Sequence, residues 1–165
     1  MISKQELVES IRSQLVNNSF TIAEVDATRP WGAFLRVVNS QADKFIATYF
    51  AGVKVPPQAQ QGERSPKILL VAPGQRLSWQ HHDRRSEFWR VVSGKAGVYL
   101  SATNQHPPEM RVLQKGDTVE IPQGVRHRLV GLDEWGVVAE IWIHTDPHHP
   151  SDEQDIYRHQ DDYQR

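Results

Sequence analysis

Two glycine-bounded segments of this chain carry polar side chains at spacings that constrain its fold more than any other feature. The first spans residues 74–94 and contains Gln80, His82 and Glu87. Gln80 and His82 are two residues apart, so on a β-strand their side chains lie on the same face. The polar residues 83–86 can form a turn that leads through Glu87 into the next strand. The segment therefore predicts a β-hairpin that presents three polar side chains.

The second segment begins at Gly116 and supplies one more histidine. His127 follows a Pro-Gln-Gly turn signal and begins an apolar run that predicts a strand. Two hairpins of this kind can bring four side chains to one point. The predicted metal ligands are Gln80, His82, Glu87 and His127. Two imidazoles, a carboxylate and an amide carbonyl suit one divalent ion, such as zinc, manganese, iron, cobalt or nickel, and leave positions open for substrate or water.

Composition excludes several classes of function. The 165 residues suffice for one domain with a real core and are too few for two ordinary domains. The 20 acidic and 19 basic residues nearly balance, which argues against a surface for nucleic acid or anionic membranes. Cysteine is absent, so disulfides, thiolate metal sites and cysteine nucleophiles are excluded. Because no apolar run has the length of a signal peptide or membrane span, we expect a cytoplasmic protein.

The first part of the chain is predicted to contain two helices and a loop. A capping box over residues 3–6 opens the first helix, which ends before Asn17. Apolar residues at helical spacing predict a second helix over residues 42–50, with Gly52 as its stop. Residues 53–66 are rich in Pro and Gln and predict a loop.

From residue 67 onward the pattern changes to short apolar runs punctuated by Gly, Pro and Asn. These runs predict strands over residues 67–72, 77–82, 88–92, 97–100, 110–113, 118–121, 127–130 and 137–144. Strands this frequent favour an antiparallel sandwich or barrel over alternating β and α units. With the metal spacing, they predict a mainly β jelly roll with N-terminal helical additions. Within one structural domain, we divide the chain into residues 1–66 (helices and arm), 67–146 (barrel) and 147–165 (polar C-terminal segment).

Three stretches of the sequence resemble a known family. They are PGQRLSWQHHDRRSEFW from residue 73, IPQGVRHRL from residue 121, and the closing SDEQDIYRHQDDYQR. They resemble the cupin domain of type II phosphomannose isomerases, in which a Gln replaces the usual first cupin His and the chain ends in an acidic segment with D-I-x-R. The segment from Arg29 to Gly32 also resembles the family's sequence ahead of the barrel, so the resemblance covers residues 29–165.

This resemblance implies roles for individual residues. The four predicted ligands would hold the metal, usually zinc in this family. Ser78 shares the strand face of Gln80 and His82, where related isomerases place a Ser near the substrate. Arg85 stands where related enzymes have a basic residue close to the sugar phosphate. Arg158, in the D-I-x-R motif, would reach back over the opening of the site.

The reaction that the resemblance implies is aldose–ketose isomerisation, which moves a proton between C1 and C2 of an open-chain sugar. It needs a Lewis acid for the developing negative oxygen and a proton shuttle near both carbons. The candidate shuttles are Lys67, Glu140, Arg158 and a metal-bound water. If the apolar face of the strand at 137–144 packs the core, Glu140 points outward, and we expect it in a surface salt bridge. By the same alternation, Arg126 and Arg128 are expected on a solvated outer face.

The leading hypothesis is a metal-dependent isomerase that converts mannose 6-phosphate to fructose 6-phosphate. Its partner would be a small sugar phosphate rather than nucleic acid or a membrane, and cupins often pair as homodimers. One alternative is a non-catalytic cupin that binds metal and sugar phosphate as a sensor, and another is an iron-dependent dioxygenase. Two departures from the family pattern bear on this choice. Phe88 stands where the isomerases commonly have His, which would remove a polar group near the metal, and Gly131 stands where many cupins have Asn.

Overall fold

Two antiparallel β-sheets face each other in the computed structural model, which describes residues 1–57 and 62–165. The elements are α1 (Lys4–Asn17), β1 (Ile22–Asp26), β2 (Gly32–Val37), a 3₁₀ turn (Asn39–Gln41), α2 (Ala42–Tyr49), β3 (Lys67–Val71), β4 (Trp79–His81), β5 (Arg85–Ser93), β6 (Ala96–Ser101), β7 (Arg111–Leu113), β8 (Thr118–Ile121), β9 (Arg126–Gly131), β10 (Gly136–His144) and β11 (Tyr157–Gln160). One sheet has the order β1-β2-β3-β10-β5-β8 and the other β11-β4-β9-β6-β7. The jelly roll predicted from the sequence is therefore confirmed.

Buried side chains form two apolar layers, one on each side of the six-stranded sheet. The inner layer lies between the two sheets and includes Trp89, Val98 and Leu129. The outer layer lies between the six-stranded sheet and the helices, and includes Leu35 and Ile141. Because successive side chains of a strand point to opposite faces, the central strands contribute to both layers at once. The six-stranded sheet is thus covered on both faces by this chain alone.

Helix α1 confirms the predicted capping box. Ser3 Oγ accepts from the backbone N–H of Glu6 at 3.2 Å, and Glu6 Oε2 accepts from the backbone N–H of Ser3 at 2.8 Å. The helix buries Leu7, Ile11 and Leu15 on the outer apolar layer, so its amphipathic spacing is a packing face. Helix α2 follows the 3₁₀ turn, begins at the predicted residue, Ala42, and ends one residue before the predicted end, at Tyr49. In the described part of the chain, no helix is long and apolar enough to cross a membrane.

Three strands were not predicted from the sequence. β1 and β2 extend the six-stranded sheet past β3, and β11 adds an edge to the five-stranded sheet by pairing with β4. β1 and β11 are edge strands with few buried side chains, so they lack the apolar run on which the sequence prediction depended. Of the predicted loop at 53–66, residues 58–61 lie outside the described residues, and the rest forms neither helix nor strand.

Strand β5 begins earlier than predicted. The sequence predicts a turn over residues 83–86. In the structure the strand begins at Arg85, which pairs with His144 of β10. Arg85 and Glu87 therefore lie on the same face of one strand. Backbone pairing to a long central neighbour extended the strand into a stretch with no apolar pattern.

We expect Phe45→Ala to lower the free energy of unfolding by about 3–5 kcal/mol, because its buried ring packs against Phe20, Tyr49 and Phe50 beneath the sheet. Urea denaturation at equal m-value measures the change. Val16→Ala is the matched control, since Val16 lies on the exposed face of α1 and its loss should change stability by less than about 0.5 kcal/mol. Equal effects in both variants would contradict the packing role of α2.

Candidate metal centre

Three buried side chains from the two facing sheets meet inside the jelly roll. His82 follows β4, Glu87 lies on β5 and His127 on β9, and one ligand atom from each lies within 4.8 Å of the others. His82 Nε2 is 3.1 Å from Glu87 Oε1, and His127 Nε2 is 3.7 Å from Glu87 Oε2. Each of the three is at most 2% exposed. This His–Glu–His cluster can hold a metal ion, and it unites three of the four predicted ligands.

Backbone carbonyls fix the proton positions on both imidazoles. His82 Nδ1 lies 2.7 Å from the Asp155 carbonyl oxygen, and His127 Nδ1 lies 2.9 Å from that of Val125. A carbonyl oxygen only accepts, so Nδ1 carries a proton in each ring, and when the ring is neutral Nε2 presents its lone pair. Burial lowers the pKa of His127 to about 4, although the charge of Glu87 acts in the opposite direction, so this ring is neutral at pH 7. Neutral imidazoles oriented in this way are the form that metals bind.

The carboxylate at the centre is ionised and only partly compensated. Burial raises the pKa of Glu87, but His82 and Arg85 outweigh it and hold that pKa well below its usual range. Glu87 Oε2 and His127 Nε2 are both buried, and neither has a hydrogen-bond partner among the described residues. Their separation of 3.7 Å is too long for a hydrogen bond. These two facing atoms, one oxygen and one nitrogen, each offer a lone pair and can bind a cation between them.

Gln80, the fourth predicted ligand, lies beside the cluster. It pairs in register with His127 between β4 and β9, and its side chain lines the adjoining cavity. The amide Oε1 accepts a hydrogen bond from Ser78 Oγ at 2.5 Å. Ser78 is thus placed against Gln80, where it can orient the amide, and ligation by Gln80 stays a prediction.

Arg85 occupies the cluster rather than its rim. Its Nε donates to Glu87 Oε1 at 2.9 Å, and its Nη2 lies 3.2 Å from His82 Nε2. Its guanidinium also lies over the ring of Trp142, at 3.7 Å from the centroid. A guanidinium N–H only donates, so this contact is a hydrogen bond from Arg85 when His82 Nε2 carries no proton. Metal binding by His82 therefore requires Arg85 Nη2 to give up this hydrogen bond.

A cavity of about 530 Å³ adjoins the cluster and opens to solvent. Its wall includes apolar rings and several ionisable side chains, so it is suited to a polar ligand with a carbon skeleton. Among the lining residues are Trp31, Phe34, Lys67, Gln80, Arg85, Glu87, Glu140, Trp142 and Arg158. The three residues predicted as catalytic and the predicted substrate residue Arg85 all contact this one space.

The expectation that Glu140 lies in a surface salt bridge is wrong. The apolar face of β10 packs against the helices, so the opposite face, which bears Glu140, points into the barrel. Glu140 Oε1 accepts from Trp89 Nε1 at 2.9 Å, and Oε2 lies 3.7 Å from Lys67 Nζ. Burial, followed by the charge of Glu87, raises the pKa of Glu140 to about 8, although Lys67 opposes the change. Glu140 is a buried acid–base group on the cavity wall.

Arg158 lines the cavity, and its side chain makes no hydrogen bond or ion pair with the described residues. It lies on β11 opposite Gln80 and is exposed. Burial lowers the pKa of Arg158, and the positive charges of Arg165 and Arg29 lower it further. Arg29 and Arg165 line the same cavity. Arg29 and Arg165 are paired with Asp26 and Asp161, so Arg158 is the guanidinium of the three that can bind an anion without giving up an ion pair to a described residue.

The expectation that the face bearing Arg128 is solvated is also wrong. Arg128 is fully buried, and it donates to the backbone carbonyls of Leu77 and Gln160. The C-terminal segment covers this face of the five-stranded sheet, which strand alternation alone cannot reveal. Arg126 remains partly exposed and pairs with Asn104.

The two departures from the family pattern have structural explanations. Phe88 packs in the outer apolar layer against Phe50, on the face of β5 opposite Glu87, so it removes no polar group from the metal cluster. The expectation of a missing polar group there is therefore wrong. Gly131 lies so close to the backbone carbonyl of Ala72 that any Cβ would collide with it. Asn is excluded at this position by the path of the neighbouring backbone.

Sequence reasoning missed two buried polar residues of the site, Ser151 and Asp155. Ser151 Oγ accepts from Arg85 Nη1 at 2.9 Å, and Asp155 supplies the carbonyl that binds His82. Both lie in the polar C-terminal segment, which has no apolar periodicity. The D-I-x-R string was the available signal, because it includes Asp155.

The sequence matches the family described as Mannose-6-phosphate isomerase C-terminal over residues 58–161. It is 29% identical over 162 residues to a mannose-1-phosphate guanylyltransferase of Salmonella montevideo, covering 98% of this chain and 27% of that protein. It is 41% identical over 63 residues to the xanthan biosynthesis protein XanB of Xanthomonas campestris, covering 38% and 12% of the two chains. This chain thus spans about a quarter of the length of the guanylyltransferase.

Among solved structures, the capsular polysaccharide assembling protein CapF of Staphylococcus aureus has a similar fold. The TM-score is 0.55 at 20% sequence identity, and the match covers 84% of this chain and 34% of CapF. At this identity the likeness concerns the fold alone.

We expect His82→Ala and His127→Ala to lose bound metal while the fold survives, because each removes an Nε2 donor from the cluster. Metal content after dialysis, measured by atomic emission, tests this, with circular dichroism as the check on folding. His149→Ala is the matched control, since this exposed histidine lies outside the cluster. Full metal retention in both cluster variants would exclude the His–Glu–His assignment.

Proposed function

Because the chain belongs to the mannose-6-phosphate isomerase C-terminal family, we propose that it is a metal-dependent aldose–ketose isomerase for a phosphorylated sugar. Mannose 6-phosphate to fructose 6-phosphate is the first substrate pair to test. The observation that carries the proposal is the buried His–Glu–His cluster beside a cavity that also holds Glu140 and Arg158. Relatives named mannose-1-phosphate guanylyltransferases act on a mannose phosphate, which agrees with this substrate class.

The chemistry requires a proton to leave C2 of the open-chain aldose and to arrive at C1, while a hydroxyl proton moves from O2 to O1. A divalent metal, when bound, supplies Lewis-acid stabilisation of the negative oxygen that develops between these steps. The mixed nitrogen and oxygen donors favour zinc, and manganese, iron, cobalt and nickel also suit them.

Glu140 is the best-placed proton shuttle among the candidates. Its Oε1 is held by Trp89 while Oε2 faces Lys67 across 3.7 Å, so one carboxylate oxygen is fixed and the other is available. A pKa near 8 lets one carboxyl group both accept and return a proton near neutral pH. Lys67 is buried beside it and lies 5.1 Å from the Phe34 ring and 5.2 Å from the Trp142 ring. Its ammonium group can bind the carboxylate or a sugar oxygen.

Arg158 is the proposed phosphate ligand. Its planar guanidinium can donate two parallel hydrogen bonds to one phosphate, and no described protein group competes for them. Arg85 has its donors committed to Glu87, His82 and Ser151, which makes it a weaker candidate for the phosphate than the sequence suggested.

A second candidate function is a non-catalytic cupin that binds the sugar phosphate as a sensor. The observation that favours it is the hydrogen bond between Arg85 Nη2 and His82 Nε2, which occupies the lone pair needed for metal binding. In such a protein Arg85 would compensate Glu87 permanently in place of a metal.

A coupled assay on mannose 6-phosphate tests the isomerase. We expect turnover that disappears after chelation and returns with zinc or manganese, because the cluster supplies donors for one divalent ion. Saturable binding of the sugar phosphate without turnover under any of these metals would favour the sensor. Turnover that resists chelation would exclude a metal-dependent reaction.

We expect Glu140→Gln to reduce kcat by about 10²–10⁴-fold with bound metal unchanged, because the amide keeps the hydrogen bond to Trp89 but cannot take up a proton. Steady-state kinetics and metal analysis on the same sample measure both quantities. Glu120→Gln is the matched control, as this exposed residue of β8 should leave kcat unchanged. A kcat equal to the parent value would remove Glu140 from the proton transfer.

Arg158→Ala should raise KM for the sugar phosphate at least about tenfold, because a charge-assisted bidentate contact is lost. The non-phosphorylated sugar should bind parent and variant equally. Arg111→Ala serves as control, since Arg111 lies exposed on β7, at the opposite edge of the five-stranded sheet from Arg158 on β11. An unchanged KM would assign the phosphate to another cation.

A further inference from the structure

Asp155 is a buried carboxylate that binds the turn between β4 and β5. It is 3% exposed, and it accepts from the backbone N–H groups of Asp83 and Arg84 at 2.9 and 3.0 Å. It also accepts from Ser151 Oγ at 2.6 Å. Burial raises the pKa of Asp155, but these three hydrogen bonds outweigh it and the pKa is lowered. An ionised carboxylate with three donors is a fixed attachment point.

The same residue binds the metal cluster through its backbone. The Asp155 carbonyl accepts from His82 Nδ1 at 2.7 Å, directly behind the Nε2 that faces Glu87. The side chain of Asp155 therefore holds the turn that follows His82, while its carbonyl holds the ring of His82. Both contacts join residues more than 70 positions apart, so neither follows from local structure.

Ser151 extends this connection to the other side of the cluster. Its Oγ donates to Asp155 Oδ2 and accepts from Arg85 Nη1, and Arg85 in turn donates to Glu87. A continuous chain of hydrogen bonds thus runs from Asp155 through Ser151 and Arg85 to the carboxylate of the cluster. Two of the three cluster residues, His82 and Glu87, are linked to the C-terminal segment.

The segment has other attachments that do not reach the cluster. Arg76 donates to both carboxylate oxygens of Asp162, at 2.7 and 3.0 Å, and Tyr163 Oη donates to Gln75. Asp162 therefore holds the same segment against the barrel through its ion pair with Arg76. A variant without the Asp162 carboxylate therefore distinguishes an effect on the segment from an effect on the metal site.

We propose that the Ser151–Asp155 pair positions the metal ligands His82 and Glu87, so that metal binding and docking of the C-terminal segment stabilise each other. The inference rests on the metal site of the proposed function and is independent of turnover. Outer partners that orient a ligating histidine typically contribute 10–100-fold to metal affinity. By linkage, the bound metal must stabilise the docked segment to the same extent.

Asp155→Asn keeps the size of the side chain but replaces one acceptor oxygen with an NH₂ group, so the side chain can no longer accept from Ser151 and both backbone N–H groups together. We expect it to bind Zn²⁺ and Co²⁺ about 10–100-fold more weakly than the parent, in competition with a chelating dye. Ser151→Ala should also weaken the binding of both ions. Because it leaves the contacts of Asp155 with the turn intact, it tests the inference even if Asp155→Asn folds poorly. Asp162→Asn should bind both ions within about twofold of the parent, because among the described residues the Asp162 carboxylate accepts side-chain hydrogen bonds from Arg76 and from no residue of the cluster.

Hydrogen exchange supplies a second readout. In the parent, Zn²⁺ should slow exchange of the Asp83 and Arg84 amides, and in Asp155→Asn this protection should be lost. Parent-like affinity in both Asp155→Asn and Ser151→Ala would overturn the inference, as would equal weakening in Asp162→Asn. Metal binding that depends on Asp155 in a protein without isomerase turnover would leave the inference standing and reject the proposed function alone. A parent chain that binds neither ion would overturn both.

Discussion

The buried carboxylate of Glu87 is the interaction around which the site is organised. An ionised group at 1% exposure is costly unless charges and hydrogen bonds compensate it. His82 and Arg85 provide part of that compensation at one oxygen, and the other oxygen has no hydrogen-bond partner among the described residues. A cation between Glu87 and His127 would complete the compensation. The arrangement is therefore suited to binding a cation.

The six-stranded sheet makes this site possible because it is covered on both faces. On β10, alternate side chains pack against the helices while Glu140 and Trp142 line the cavity. The same alternation on β5 sends Phe88 to the helices and Glu87 inward. The N-terminal helices thus take over the apolar burial that the interior of the barrel would otherwise need. The interior holds an apolar layer of its own and, beside it, the polar cluster and the cavity.

The C-terminal segment is part of the site rather than an appendage. It covers Arg128, supplies Arg158 to the cavity wall, and contacts His82 and Arg85 through Asp155 and Ser151. Several of its polar residues bind polar groups of the barrel. The family match reaches residue 161 and so includes most of this segment. The guanylyltransferase relative is much longer than this chain, so its activity as a whole protein is a separate matter.

The sequence by itself determined the jelly roll, the first helix and the set of metal-binding residue types, because periodicity, capping and short-range spacing are local properties. It did not determine β2 or β11, which pair with strands distant in the chain, or β1, an edge strand without a buried side chain. It also misplaced Glu140 and Arg128, since alternation tells which residues share a face but not what covers that face. Tertiary structure decided that the helices cover the apolar face of β10 and that the C-terminal segment covers Arg128. Both coverings are long-range contacts. They place Glu140 on the wall of the cavity and bury Arg128, which residue alternation alone does not show.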